Sequence, residues 1–257
     1  MAELGYGGRR GKAEDDRVRE TRRGNMAIEL KTYGAEELLG PFNDVERKYA
    51  PGELYIAGHQ EILADGARVA IVGSREASSD GKARARKLAR LLAERGVVVV
   101  SGLAKGIDTA AHRGAIEAGG KTVAVIGTPL DKCYPKENQE LQDHIMREHL
   151  CISQFPIGSV TQRGSFPIRN RTMALISDAT VIIEASESSG SLSQGWEALR
   201  LGRGLFITRW LADNPKLRWP AQMLSYGARV LADDTFEEFC EELPERRSDL
   251  VLDAAAF

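Results

Sequence analysis

The stretch Val97-Val98-Val99-Val100-Ser101-Gly102-Leu103-Ala104-Lys105-Gly106-Ile107-Asp108 decides the fold. Four consecutive valines leave no polar face, which reads as a strand covered on both sides, as in a parallel sheet flanked by helices. The glycine-bearing loop then turns the chain into a helix. Such a junction aims backbone N–H groups and the positive end of a helix dipole at one spot, a natural seat for phosphate. Lys105 places a mobile positive charge beside it. An earlier junction, Val69-Ala70-Ile71-Val72-Gly73-Ser74-Arg75, repeats the pattern, with Arg75 directly after its strand.

Outward from this pair the chain alternates. A helix is predicted from about Asp80 to Arg95, with Ala85, Leu88, Ala89 and Leu92 at i, i+3, i+4, i+7 spacing and Gly96 as its stop. Further helices are predicted over Ile107–Ala118, Glu137–His149, Ile168–Ser177 and Ser191–Leu201, the last with Ser191 and Gln194 in capping-box spacing. Strands are predicted at Leu54–Ala57, Thr122–Ile126, Cys151–Ser153, Thr180–Glu184, Leu205–Thr208 and Ala228–Leu231, and Lys31 to Pro51 has helical periodicity. The alternation argues for an α/β fold, an extended Rossmann-like, doubly wound and mostly parallel sheet with helices on both faces. The expected organisation is a charged tail without structure over 1–25, a lead-in segment over 26–66, the Rossmann-like domain over 67–240 and a tail over 241–257. Met26, where more ordinary sequence begins, is a candidate for the natural start.

A chain of 257 residues, 42% of them hydrophobic, can bury one sizeable α/β core. A net charge of -2 excludes a bulk basic field, so any nucleic-acid site must be a local patch. Cys133, Cys151 and Cys240 lack C-x-x-C spacing and read as reduced thiols rather than metal ligands. There is no membrane-length apolar run and no signal-peptide core, so a cytoplasmic location is expected.

Ligands of doubly wound sheets gather at the carboxyl ends of the strands. Gly73–Arg75, Gly102–Asp108, Gly127–Thr128 and Glu184–Ser191 all fall there. Gly73 and Gly102 fit tight turns or close ligand approach, and Asp108 fits either a site role or compensation of the helix dipole. In Phe166-Pro167-Ile168-Arg169-Asn170-Arg171, an Ile168 facing the core would leave Arg169 and Arg171 pointing away from it, where with Asn170 they could grip a phosphate chain. Two cations at a helix start oppose its dipole and so require a compensating anion. The Ser188–Ser191 turn fits phosphate binding or simple capping. Phe155, Phe166 and Trp196 offer stacking faces, although core packing is their expected role, and His112 is expected to be structural. No dinucleotide G-x-G-x-x-G follows the first strand, and neither Walker A spacing nor a G-x-S-x-G elbow occurs. The candidate phosphate-binding set is therefore Gly73, Ser74, Arg75, Gly102, Lys105, Gly106, Arg169, Asn170, Arg171, Ser189 and Ser191, with no metal, cofactor or catalytic residue expected.

Five segments in order (Val69–Arg75, Ser101–His112, Tyr134–Asn138, Phe166–Arg171 and Ser189–Leu192) resemble the DNA-processing protein A (DprA/Smf) family, from about Leu54 to Phe239. The resemblance implies an extended Rossmann fold that binds single-stranded DNA without catalysis, helps load a RecA-type recombinase in natural transformation and forms a homodimer. It implies that Arg75, Lys105, Arg169, Asn170 and Arg171 line a DNA-phosphate groove shaped by Gly73, Ser74, Gly102 and Gly106. The chain departs from the family pattern at Pro129, Gln154 and Gln194-Gly195 and over Thr208–Pro220, and room is expected for neither a large N-terminal helical domain nor a C-terminal winged helix. Two rival readings stand beside it. One is a Rossmann-like sensor of a nucleotide-derived ligand in stress or defence. The other is a nucleotide phosphoribohydrolase, which would need Glu184 or Glu197 in the pocket.

Overall fold

In the computed structural model, residues 18–23 and 26–245 are described. Ten strands form one sheet among them: β1 (Val18–Arg23), β2 (Met26–Gly34), β3 (Glu53–Gly58), β4 (Arg68–Gly73), β5 (Val98–Ser101), β6 (Thr122–Ile126), β7 (Leu150–Ser153), β8 (Ala179–Glu184), β9 (Gly204–Thr208) and β10 (Arg229–Leu231). Their order is β1-β2-β3-β7-β6-β5-β4-β8-β9-β10. From β7 to β10 every pairing is parallel, whereas β1, β2 and β3 add to the β7 edge antiparallel. The helices are α1 (Ala35–Leu39), α2 (Asp44–Arg47), α3 (Ser79–Glu94), α4 (Ile107–Glu117), α5 (Gln139–Glu148), α6 (Ser165–Ile176), α7 (Ser191–Arg200), α8 (Arg209–Ala212), α9 (Trp219–Ser225) and α10 (Phe236–Glu241).

The central strands β4, β5, β6 and β8 are almost wholly apolar because alternate residues feed different cores. Ala70, Val72, Val98, Val100, Val123 and Val125 pack against α6 and the helices beside it. Val69, Ile71 and Val99 pack on the other face against α3, α4 and α10, while Ala124 and Ile126 meet α5 there. The doubly wound fold read from the sequence is the observed one.

Two expectations for the first quarter of the chain change. Lys31 to Pro51 is not one helical segment: β2 continues to Gly34, and two short helices follow. Ile28 and Leu30 are buried with exposed Glu29 between them, and this two-residue alternation, reinforced by pairing with β3, outweighs the helical spacing. Within the tail expected to lack structure, residues 18–23 form β1, an edge strand whose inner backbone groups pair with β2. Residues 1–17 and 246–257 lie outside the described residues.

His112 is a structural group, fully buried on α4. The Thr122 hydroxyl donates to Val99 O at 2.7 Å and so accepts from His112 Nδ1 at 2.8 Å. Burial, followed by the charges of His149 and Arg169, pushes its pKa from 6.5 down to about 3. His149 is pushed to about 4 by burial and then by His144. A base with a depressed pKa stabilises the fold above its unfolded value and loses that contribution as pH falls toward the folded value. Between pH 7 and pH 5 the His112 contribution should therefore fall by about 2 kcal/mol. Urea unfolding at both pH values checks this: His112→Asn should show a shallower loss than the parent chain, and an equal loss refutes the assignment.

Candidate functional site

Strand order changes direction at β4. The α3 crossover carries the chain to β5 on one side, whereas β8 lies on the other and α7 carries it onward to β9. The carboxyl ends of β4 and β8 therefore flank the crevice where doubly wound sheets bind ligands. An open pocket of about 500 Å³ lies there, walled by Gly73, Ser74, Arg75, Asn170, Ser189 and Ser191, with Asp108, Phe166 and Arg169 also lining it. A small lobe of about 50 Å³ adjoins it, lined by Gly102, Lys105, Tyr134 and Phe166. Arg75 and Phe166 border both lobes.

Arg75 is exposed and lies with Cζ 5.1 Å from the centre of the Phe166 ring. It makes no ion pair among the described residues. Phe166 in turn packs against the exposed Tyr134 ring, 5.5 Å centre to centre. Phe166, expected to join the core, instead forms a half-buried wall of the site. Tyr134 was missed as a lining residue; the available signal was a large aromatic in the loop at a strand's carboxyl end.

Lys105 is exposed at the small lobe and ion-paired to the equally accessible Glu137. Gly106, outside the pocket wall, starts α4 with φ +78°, and a Cβ there would sit 2.3 Å from Ser74 O. Its role is to bring the two strand-end loops together. Ala104 N–H donates to Asp108 Oδ2 at 3.3 Å, which ties the β5–α4 loop to its own helix.

Arg169 occupies a different place from the one the sequence reading gave it. Ile168 is 40% exposed and Arg169 only 5%. The helix face is rotated because the carbonyls at the ends of β5 and β6 draw the guanidinium inward. Arg169 Nη1 donates to Gly102 O and to Val125 O (2.7 Å to the latter), and Nε donates to Asn170 Oδ1 at 3.0 Å. Gly102 is a glycine for this reason: a Cβ would stand 2.0 Å from Arg169 Nη1. Burial lowers the Arg169 pKa, with Asp108 pulling it up and Arg75 pushing it down. Burial likewise raises the Asp108 carboxyl, opposed by Arg169. Asn170 is spent on positioning, since its Nδ2 donates to Gly190 O at 3.2 Å and to Ser193 Oγ at 2.7 Å.

Arg171 is not part of the pocket. Its Nε pairs with Glu197 Oε1 at 3.2 Å, and its guanidinium lies over Tyr49. The compensating anions required by the two cations on α6 are thus partly internal, Asp108 near Arg169 and Glu197 beside Arg171. Ser189 and Ser191 join hydroxyls at 2.7 Å where α7 begins. The expected Ser191–Gln194 capping box does not form: Gly190 is the N-cap, and Gln194 is buried beside Thr180. Glu184 is engaged by Ser78, whose N–H donates to Oε1 at 2.9 Å and whose hydroxyl donates to Oε2 at 2.6 Å.

The family model for DNA recombination-mediator protein A matches residues 38–244. The chain is 35% identical over 198 residues to DNA processing protein DprA of Bacillus subtilis, covering 76% of this chain and 65% of that protein. It is 41% identical over 194 residues to the Streptococcus pneumoniae protein, covering 73% of this chain and 68% of the relative. The solved Streptococcus pneumoniae structure superimposes with a TM-score of 0.72 at 34% identity, covering 84% of this chain and 75% of that one. DNA processing protein A from Helicobacter pylori, described for its single-stranded DNA binding mode, gives 0.71 at 25% identity over 84% of this chain and 97% of that one. The chain thus spans about two thirds of the length of these two curated relatives. A matching family model across most of the chain, carried on a doubly wound sheet with its pocket at the strand-order reversal, makes this chain a member of the DNA recombination-mediator protein A family.

Proposed function

We propose that this chain binds single-stranded DNA at the β4/β8 crevice and acts as a non-catalytic recombination mediator. The observation that carries the reading is Arg75, an exposed guanidinium without a carboxylate partner among the described residues, stacked on Phe166 at the border of both lobes. A phosphate held by Arg75 lies against the hydroxyl-rich start of α7, and a base can stack beside Phe166 and Tyr134. Lys105 supplies the next phosphate contact by exchanging Glu137 for the DNA backbone. Arg169 and Asn170 act underneath, by fixing the loops.

The non-catalytic reading is supported by the two carboxylates a glycosidic mechanism would use. Glu184 is held by Ser78, and Glu197 is shared by Arg171 and Arg200. Recombinase loading and homodimer formation belong to the same proposal and rest on family membership. No helix among the described residues is long and apolar enough to cross a membrane.

Fluorescence anisotropy with single-stranded oligonucleotides, run beside thermal shifts with mononucleotides, tests the proposal. Binding should vary little with base sequence and weaken with salt, with a log–log slope of about -1.4 for two phosphate contacts on a short oligonucleotide. Strong thermal shifts with a mononucleotide and no oligonucleotide binding would establish the ligand-sensor reading instead.

A further inference from the structure

Arg171 leaves the pocket for a second cationic cluster. Its guanidinium lies 4.9 Å from the centre of the Tyr49 ring, that of Arg200 lies 4.7 Å away and the Lys48 ammonium 5.4 Å. Tyr49 is 44% exposed. One carboxylate, Glu197, serves both arginines through their Nε atoms, at 3.2 Å to Arg171 and 2.7 Å to Arg200. Holding each guanidinium by Nε keeps the carboxylate off both terminal nitrogens of Arg171 and off Nη2 of Arg200, whose Nη1 is bound to Val45 O. The carboxylate is also the least exposed of the three, at 17% against 43% for Arg171 and 28% for Arg200. Three cations therefore face solvent above one recessed anion, an excess of positive charge on a chain whose overall net charge is negative.

The cluster is built rather than incidental. Asn43 caps α2 by accepting from Val45 N and Glu46 N, both at 2.9 Å, while Glu46 closes the box onto Asn43 N. Arg200 Nη1 donates to Val45 O at 3.1 Å, and Arg203 pairs with Glu46 at 2.5 Å. These bonds fasten the turn carrying Lys48 and Tyr49 to the end of α7. Helices α6 and α7, which carry Arg171 and Arg200, also reach the pocket. Asn170 lines it while the next residue, Arg171, enters the cluster, and Ser193 lines it seven residues before Arg200, about 10 Å along a helix.

The geometry points to a second phosphate-binding station, formed by Lys48, Arg171 and Arg200 around Tyr49, for the same DNA strand after it leaves the β4/β8 pocket. The inference rests on the proposed function and adds to it a longer footprint running over α6 and α7. Guanidinium forks suit phosphodiester oxygens, and with bases unread the contact is indifferent to sequence.

The test uses the full chain with oligothymidylates of about four and about fifteen nucleotides, the short one filling the pocket alone. In the Lys48→Gln, Arg171→Gln double variant both altered side chains are exposed, and the Arg200–Glu197 pair stays in place. Arg75→Glu is measured alongside. The double variant should bind the short oligonucleotide like the parent chain and the long one roughly tenfold more weakly, with a salt slope shallower by about 1.4. Equal losses on both lengths overturn the second station, because the cluster would then act on the pocket. Unchanged binding of both lengths, with Arg75→Glu still defective, also overturns it and leaves the pocket reading intact. Parent-like binding of both lengths by Arg75→Glu refutes the pocket reading itself.

Discussion

Arg75→Glu is expected to lower affinity for single-stranded DNA by about 10²–10³-fold without unfolding the protein. The side chain is exposed and its described contact is the Phe166 ring, so the folded state loses only a cation–π contact, about 0.5–1 kcal/mol. The bound state loses far more. A charge-assisted contact to phosphate is replaced by like charges at the centre of the site, an exchange of about 3–4 kcal/mol. Arg75→Lys separates charge from shape: it retains the cation but loses the planar fork that lies on Phe166, and a loss of roughly tenfold is expected. Anisotropy titrations give the affinities and scanning calorimetry the Tm. Parent-like affinity in a folded Arg75→Glu protein would remove the residue from the binding surface.

The parallel sheet was legible because its strands are buried on both faces, which shows as unbroken apolar runs such as Val97–Val100. The location of the site was legible for a topological reason, since strand-end loops in a doubly wound sheet converge wherever the order reverses. What each cation does there was not legible. Ile168 and Arg169 are neighbours on one helix, and periodicity put the apolar one inside. It could not register that the carbonyls of Gly102 and Val125, at the ends of two strands far away in sequence, offer a buried seat to a guanidinium. Nor could it see Glu197 turning Arg171 toward Tyr49, because the acid and the ring come from separate parts of the chain. Phe166 was misjudged by the rule that large aromatics pack inside; here the ring ends at a pocket, with Arg75 on it and Tyr134 beside it.

The buried arginine yields the second large effect, and it falls on stability rather than affinity. Arg169→Glu removes the donors that satisfy Gly102 O and Val125 O, and each buried carbonyl left without a partner costs about 1–3 kcal/mol. It also frees Asn170 Oδ1, the anchor of the amide that positions the Ser-rich turn. The new carboxylate would be enclosed near Asp108, whose own carboxyl burial already disfavours in its charged form, so two acids would compete where one cation stood. Together these place the loss at about 4 kcal/mol or more, in the range reserved for broken buried networks. For a domain of this size that lowers Tm by roughly 10 °C or more. Arg169→Lys keeps the charge but cannot span two carbonyls and an amide oxygen at once, so an intermediate drop is expected. Thermal unfolding orders the three proteins, and DNA titration at a temperature where all are folded gives the contrast with Arg75. If Arg169→Glu keeps the parent Tm and loses only DNA binding, the guanidinium touches the ligand directly and its role as an internal brace is wrong.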